Sequence, residues 1–375
     1  MKTGRMHESG FTLIEMLVAV AIFLAIGGAA ISLYTSHVSL FNDQQRQSVL
    51  NFTLRNAAAQ IQTDAAQAGD GYFQGTDIAA WPIGISVLPP VTGTCFNPVA
   101  LTYSAPCFDT LNIITVDTST PVLAAHPSNC AGADLLTDSS SNICLTPVAG
   151  TTVAQLISGY HKNDHVLLEK GDGSMMTDIQ LTSNGTSVSG NTMAQFSFTK
   201  TTSGGGGTNP IGSTNDSFQD PNSNWHSLLI STAEDKTGGN GCPTTPARIT
   251  NDFDSNSWAL RLIPVVYTVD ASNTSDPKLM RITPTSADVI AEQVIGFKVG
   301  TSSINNSDAT YVYDATQPPL CGDYPQIRSV RVTIIARALQ QNDRTINTFD
   351  MGPYKVESLS VIVSPRNLSM KDQGN

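Results

Sequence analysis

Residues 8–34 read ESGFTLIEMLVAVAIFLAIGGAAISLY, and from Gly10 onward this stretch is an apolar run that carries one carboxylate, Glu15, near its beginning. No residue from Met16 to Ser36 is charged, and about 20 apolar residues suffice to cross the hydrocarbon core of a bilayer as a helix. Lys2 and Arg5 precede the run, so the positive-inside rule places the N-terminus in the cytoplasm and the rest of the chain outside. The N-terminus therefore predicts one membrane-spanning helix followed by an exported body.

Two simple interpretations of this helix leave Glu15 unexplained. A secretory signal would be cut after the apolar run, where Ala30 and Ser32 are small enough to precede a cleavage site. A plain uncleaved anchor would keep the whole run. Neither needs a carboxylate inside the membrane, which costs a few kcal/mol and usually marks a function.

The order of residues from Gly10 to Glu15, GFTLIE, followed by an uninterrupted apolar helix, resembles the class III signal of type IV pilins and type II secretion pseudopilins. This resemblance implies that a prepilin peptidase cuts between Gly10 and Phe11 and methylates the new N-terminus at Phe11. It also implies that Thr12 and Glu15 act in filament assembly. In pseudopilins the subunit at the extreme tip is the one that lacks the glutamate, so Glu15 places this chain just below the tip.

Glu15 has two candidate partners after such a cut. The α-amino group of Phe11 would be cationic at neutral pH and would lie one helical turn from Glu15, about 6 Å along the axis. The carboxylate can therefore pair with its own N-terminus and with the positive end of the helix dipole. The resemblance implies instead that it meets the Phe11 amine of a neighbouring subunit and so sets the axial register. Both pairings remain open.

The helix is expected to continue beyond the membrane. An apolar stripe at helical period predicts one helix from Phe11 to Ala68, ended by Gly69. The stripe comprises Leu50, Leu54, Ala57, Ile61, Ala65 and Ala68, and the opposite polar face comprises Gln47, Asn51, Arg55, Gln62 and Asp64. Many major pilins carry a proline midway along this segment, and this chain has none. The pair Gly27 and Gly28 favours close helix packing over a softened helix.

Beyond the helix, short β-type runs alternate with turn residues and predict a largely antiparallel β head, so the fold class is α+β. Expected strands are 111–117, 165–170, 178–183, 195–200, 259–270, 278–283, 289–300, 327–339 and 356–364. The polar segment near 201–248 is predicted to be a surface loop insertion. The runs after residue 264 resemble the body of PilW-type minor pilins and J-type pseudopilins. The expected organisation is a leader at 1–10, a membrane or filament-core helix at 11–36, its amphipathic continuation at 37–69 and a head at 70–375.

Composition narrows the possible functions. Only 14% of residues are charged and the net charge is −11, so a nucleic-acid partner is not expected. Six cysteines without CxxC spacing indicate disulfides in an oxidising compartment. Although 15 pairings are possible, nearest-neighbour spacing favours Cys95 with Cys107 and Cys130 with Cys144. The last two, Cys242 and Cys321, would then form the third pair.

Two polar clusters are candidate metal sites, and both are better explained as turns. His161, Asp164 and His165 lie in HKNDH, but the following strand would keep the two histidines from converging on a zinc ion. Asp252 and Asp254 alternate as at the start of a calcium loop, but the later ligand positions do not match an EF-hand. No catalytic motif occurs. No cofactor and no enzymatic activity are therefore expected.

The sequence and its resemblance predict a minor pilin that primes or joins the tip-proximal end of a type IV pilus. Expected partners are other minor and major pilins, the prepilin peptidase and methyltransferase, and the inner membrane. The head would lie in the periplasm and later on the cell-surface pilus. Alternatives are a minor pseudopilin of a type II secretion system and a membrane-tethered adhesin or binding protein.

Overall fold

The computed structural model describes residues 12–68, 85–88, 90, 92–117, 124–128, 130, 142–169, 175–198, 201–203, 207–209, 230–231, 257–303, 311–313, 327–341 and 346–365. Within these ranges a long N-terminal helix packs on antiparallel β-sheets. The α+β class is thus confirmed.

Helix α1 spans Leu13–Ala66, 54 residues, or about 81 Å at 1.5 Å per residue. Thr12 is its N-cap and Gln67 its C-cap. The helix is continuous through Gly27 and Gly28, where an added Cβ would meet no other atom within 4 Å. The predicted extent of the helix is therefore close to the observed one, and all six residues of its predicted apolar stripe are buried.

The remaining elements follow in chain order. The strands are β1 Ile85–Leu88, β2 Phe96–Asn97, β3 Thr102–Tyr103, β4 Thr110–Val116, β5 Ala124–Ser128, β6 Asn142–Pro147, β7 His165–Glu169, β8 Met175–Gln180, β9 Thr186–Val188, β10 Met193–Ser197, β11 Thr201–Ser203, β12 Gly207–Asn209, β13 Ile230–Ser231, β14 Trp258–Asp270, β15 Lys278–Ile282, β16 Ala287–Glu292, β17 Val294–Ser303, β18 Ile327–Gln341 and β19 Tyr354–Val363. A second helix, α2, spans Val153–Gly159, and a 3-10 helix spans Ala105–Cys107.

Two sheets lie under α1. The larger has twelve strands organised around β14, which pairs with β4, β5, β7 and β15. The smaller has three strands in the order β17, β18, β19. α1 contacts β19, β18, β16 and β4, so its C-terminal half crosses both sheets. The shared core contains the apolar stripe of α1 together with side chains from both sheets, such as Leu111, Tyr267, Phe297 and Val332.

One prediction about the strands was wrong. The segment 289–300 forms two strands, because Gln293 adopts a left-handed backbone conformation with φ +54° and turns the chain out of one sheet into the other. The predicted loop at 201–248 contains the short strands β11, β12 and β13, and β13 pairs with β8 of the large sheet. Most of that segment lies outside the described residues.

The side-chain amide of Gln293 is held in place by hydrogen bonds to the buried Arg337 and to Asp276. Its Oε1 accepts a hydrogen bond from Arg337 Nε at 2.7 Å, and its Nε2 donates to Asp276 Oδ1 at 2.7 Å. The Arg337 guanidinium also donates to the carbonyl oxygens of Leu101 and Ser275, at 2.8 and 2.7 Å. These bonds fix the point at which β16 and β17 diverge.

Candidate assembly site on the N-terminal helix

Thr12 and Glu15 form a capping box at the start of α1. The Glu15 Oε2 atom accepts from the backbone N–H and from the hydroxyl of Thr12, both at 2.9 Å, while Glu15 N donates to Thr12 Oγ1 at 3.4 Å. The box satisfies N–H groups that the first turn of a helix leaves without partners. Gly10 and Phe11, the predicted cleavage residues, lie outside the described residues.

The second helix provides an internal comparison. Thr152 and Gln155 cap α2 in the same way, with Thr152 N and Oγ1 donating to Gln155 Oε1 at 2.8 and 3.0 Å. An uncharged amide therefore makes the same set of cap contacts as the carboxylate of Glu15. Capping explains why an oxygen acceptor is needed at position 15, but it does not explain why the acceptor is charged.

The N-terminal half of α1 has an exposed apolar surface. Large apolar side chains from Leu13 to Phe41 are solvent-accessible, and Leu13 itself is 82% exposed. α1 is the one helix in the described part of the chain that is long and apolar enough to cross a membrane. Such a surface needs lipid or other helices to cover it.

The C-terminal half of α1 is fixed to the head by Asp64. The sequence placed Asp64 on the polar, solvent-facing side of the helix, and this was wrong: the residue is buried. Its Oδ2 atom accepts from the Tyr267 hydroxyl at 2.5 Å and from Arg281 Nε at 2.7 Å, and its Oδ1 accepts from Gln60 Nε2 at 3.3 Å. Asp64 lies three residues after Ile61 on the buried stripe, and this i,i+3 spacing was the signal that could have identified it.

Electrostatics keeps these partners in the required protonation states. Burial, reinforced by the hydrogen bond to Asp64, raises the pKa of Tyr267 far above its ordinary range. The hydrogen bond to Asp64 also raises the pKa of Arg281. Tyr267 therefore remains a hydroxyl donor and Arg281 a cation throughout the physiological pH range. We call Asp64, Tyr267 and Arg281 the helix clasp.

The other predicted site residues are dispersed. Disulfides join Cys95 to Cys107 and Cys130 to Cys144, the pairs favoured by spacing. Cys242 and Cys321, like Asp252 and Asp254, lie outside the described residues.

In the HKNDH cluster, His161 is exposed on a turn, and His165 begins a strand. Asp164 accepts from Arg261 at 3.3 Å, and Arg261 also pairs with the buried Asp117. This pairing was not predicted. No group of metal-ligating side chains occurs among the described residues.

The comparisons with known proteins add one positive finding. Residues 5–31 match the model of the prokaryotic N-terminal methylation motif. Searches of curated proteins and of solved structures found no match. The motif implies processing by a prepilin peptidase. The chain thus carries a type IV pilin-like prepilin signal on an apolar helix that is continuous with a helix packed on a β head.

Proposed function

We propose that this protein is a minor pilin that joins a type IV pilus near its tip through the charge of Glu15. The observation that carries the proposal is the pair of capping boxes. Gln155 caps α2 as fully as Glu15 caps α1, so the cap alone gives no reason to keep an ionised group in a membrane-spanning segment, where charge is costly. A cationic partner supplies that reason, and the N-terminal amine of an adjacent subunit is one.

The exposed apolar half of α1 supports the same assignment. In a bilayer its side chains would contact lipid, and in a filament they would contact the corresponding helices of neighbouring subunits. The open Cβ positions of Gly27 and Gly28 allow a neighbouring helix to approach closely. A head of about 300 residues would crowd a shaft of repeated copies, since single domains are typically about 100–150 residues. This size supports a low copy number in the filament.

The test separates capping from charge. Glu15→Gln keeps an acceptor for Thr12 but removes the charge, so membrane insertion and cleavage after Gly10 should persist while pili become sharply fewer. Asp270→Asn, the same change at an exposed carboxylate of the head, should leave piliation normal. Pilus counts by electron microscopy, together with immunoblots and N-terminal mass spectrometry of membrane fractions, provide the readouts. Normal piliation with Glu15→Gln would mean that Glu15 acts only as a helix cap, which would contradict the proposal.

Deletion of the gene distinguishes pilus from secretion system. Loss of pili or of twitching supports the proposal. Loss of protein secretion with normal pili would assign the protein to a type II secretion pseudopilus instead. An N-terminus that is intact, or cut beyond Ala30, would contradict both assignments.

A further inference from the structure

A groove of about 660 Å³ opens between α1 and the two sheets. Its floor is one face of α1, formed by Asn42, Gln45, Arg46, Val49, Leu50 and Thr53 at helical spacing. Its walls are residues 289–293, at the end of β16, and residues 337–339 of β18. The groove exists because the chain turns at Gln293, which separates β16 from β17 and leaves a wedge between β16 and β18.

The walls of the groove are strand edges. Successive side chains of a strand point to opposite faces, so five consecutive lining residues, 289–293, indicate that the edge of β16 borders the groove. β16 pairs with β15 on its other side, and with no other strand in the described ranges. β18 is paired with β17 only as far as Ala336, which leaves Ala338 and Leu339 beyond the end of β17.

The hairpin register shows which backbone N–H of β16 points away from β15. Thr283 N donates to Ser286 O, so residues 283 and 286 form a hydrogen-bonded pair. Hydrogen-bonded and non-hydrogen-bonded pairs alternate along antiparallel strands. The pairs 282–287, 281–288 and 280–289 follow in order. Val289 therefore falls in a non-hydrogen-bonded pair, and its N–H points away from β15 toward the groove.

We propose that this groove binds an extended segment of another pilin-like subunit, which adds a strand to the free edge of β16. Strand addition of this kind takes affinity from main-chain hydrogen bonds and specificity from alternate side chains. Val49, Val289 and Leu339 are about half exposed or more and would cover apolar side chains of the segment. Asp288 is exposed on β16, and Glu292 on the same strand pairs with Lys278 at 3.7 Å, so a Lys or Arg in the segment fits beside Asp288.

The position of the groove on α1 identifies the occupant as a neighbouring subunit. Its floor, residues 42–53, continues the exposed apolar surface of α1 directly. Any subunit that packs along α1 during assembly therefore passes the groove. The identity of the partner rests on the proposed function, whereas strand addition rests on the geometry of the groove alone.

The first test uses a synthetic peptide and the full-length protein in detergent micelles. The probe is a six-residue peptide of alternating valine and threonine with one terminal lysine. We expect saturable binding by fluorescence anisotropy, and a loss of about tenfold with Val289→Pro, because proline removes the free donor. The matched variant Val289→Thr keeps the N–H but replaces a methyl group of the apolar lining by a hydroxyl, so its affinity should lie between those of the wild type and Val289→Pro. Equal binding by the Pro and Thr variants, or no binding by the wild type, would overturn strand addition.

The second test measures assembly. Val289→Pro should reduce incorporation into pili more than Val289→Thr does. If Glu15→Gln reduces the number of pili but Val289→Pro is incorporated normally, the groove is not an assembly surface, and the proposed function is unaffected. Concentration-dependent dimerisation of the purified protein that Val289→Pro abolishes would assign the groove to a second copy of this chain and overturn the proposed partner.

Discussion

The helix clasp allows a quantitative prediction about how α1 is held to the head. Asp64→Ala removes the acceptor of the fully buried Tyr267 hydroxyl and the counter-charge of Arg281. Breaking a buried ion pair from one side costs about 3–5 kcal/mol. The Arg281 side chain is 23% exposed, so its charge keeps part of its hydration. We therefore expect a loss of about 2–3 kcal/mol in the free energy of unfolding.

Variants of the neighbouring residues show how much of this loss each contact accounts for. Tyr267→Phe removes one hydrogen bond and leaves Arg281 paired, so it should cost about 1 kcal/mol. Gln62→Ala changes an exposed residue on the same helix and should cost less than about 0.5 kcal/mol. In the double variant with Asp64→Ala, the Tyr267 change should add almost nothing, because its acceptor is already gone.

Two measurements report on the clasp in the full-length protein in detergent micelles. Urea unfolding followed by tryptophan fluorescence gives the free energies. Limited trypsin digestion gives the rate of cleavage at Arg55, an exposed site on the packed half of α1, and this rate should rise when the helix separates more often from the sheets. If Asp64→Ala behaves like Gln62→Ala in both measurements, the clasp does not hold the helix.

Three further predictions concern the head and the leader. The Gln293→Gly variant should be more stable than the Gln293→Ala variant by about 1 kcal/mol, because the backbone at this position has φ +54°. In an ordinary strand alanine would be the more stable of the two, and urea unfolding of both variants decides this. Burial alone would raise the pKa of Asp350, but hydrogen bonds from Tyr103, Asn347 and Gly352 outweigh it and hold that pKa below its ordinary value. The wild type should therefore have a higher free energy of unfolding than Asp350→Asn above about pH 4, and this difference should decline as the pH falls through the lowered pKa. A difference that is the same at neutral and at acid pH would contradict this. Cleavage after Gly10 removes Lys2, Arg5 and Glu8, so the net charge should change from −11 by −2 and +1 to −12, and isoelectric focusing beside N-terminal mass spectrometry would detect it.

The parts of the fold that were predictable from the sequence depend on local periodicity. The apolar stripe predicted which face of α1 is buried, because a helix of this length repeats the same spacing many times. The break at Gln293 was not predictable, since a non-glycine residue with positive φ is stabilised here by Arg337 and Asp276, which lie far from it or outside its strand. For Asp64, the i,i+3 spacing from Ile61 indicates burial, but its hydrogen-bond partners were not predictable. Its partners come from β14 and β15, about 200 residues further along the chain, and no local pattern announces them.

The two carboxylates at opposite ends of α1 differ in how their hydrogen bonds are made, and this difference fits their proposed roles. Asp64 accepts from Tyr267 and Arg281 in two strands of the head as well as from its own helix, so it cannot change partners without disturbing the core. Within the described part of the chain, the Glu15 side chain accepts its two hydrogen bonds from Thr12, three residues away. Exchanging those two hydrogen bonds for the amine of another subunit would disturb only the first turn of the helix. α1 is thus fixed where it meets the head, and the proposed assembly contact would exchange hydrogen-bond partners only at its other end.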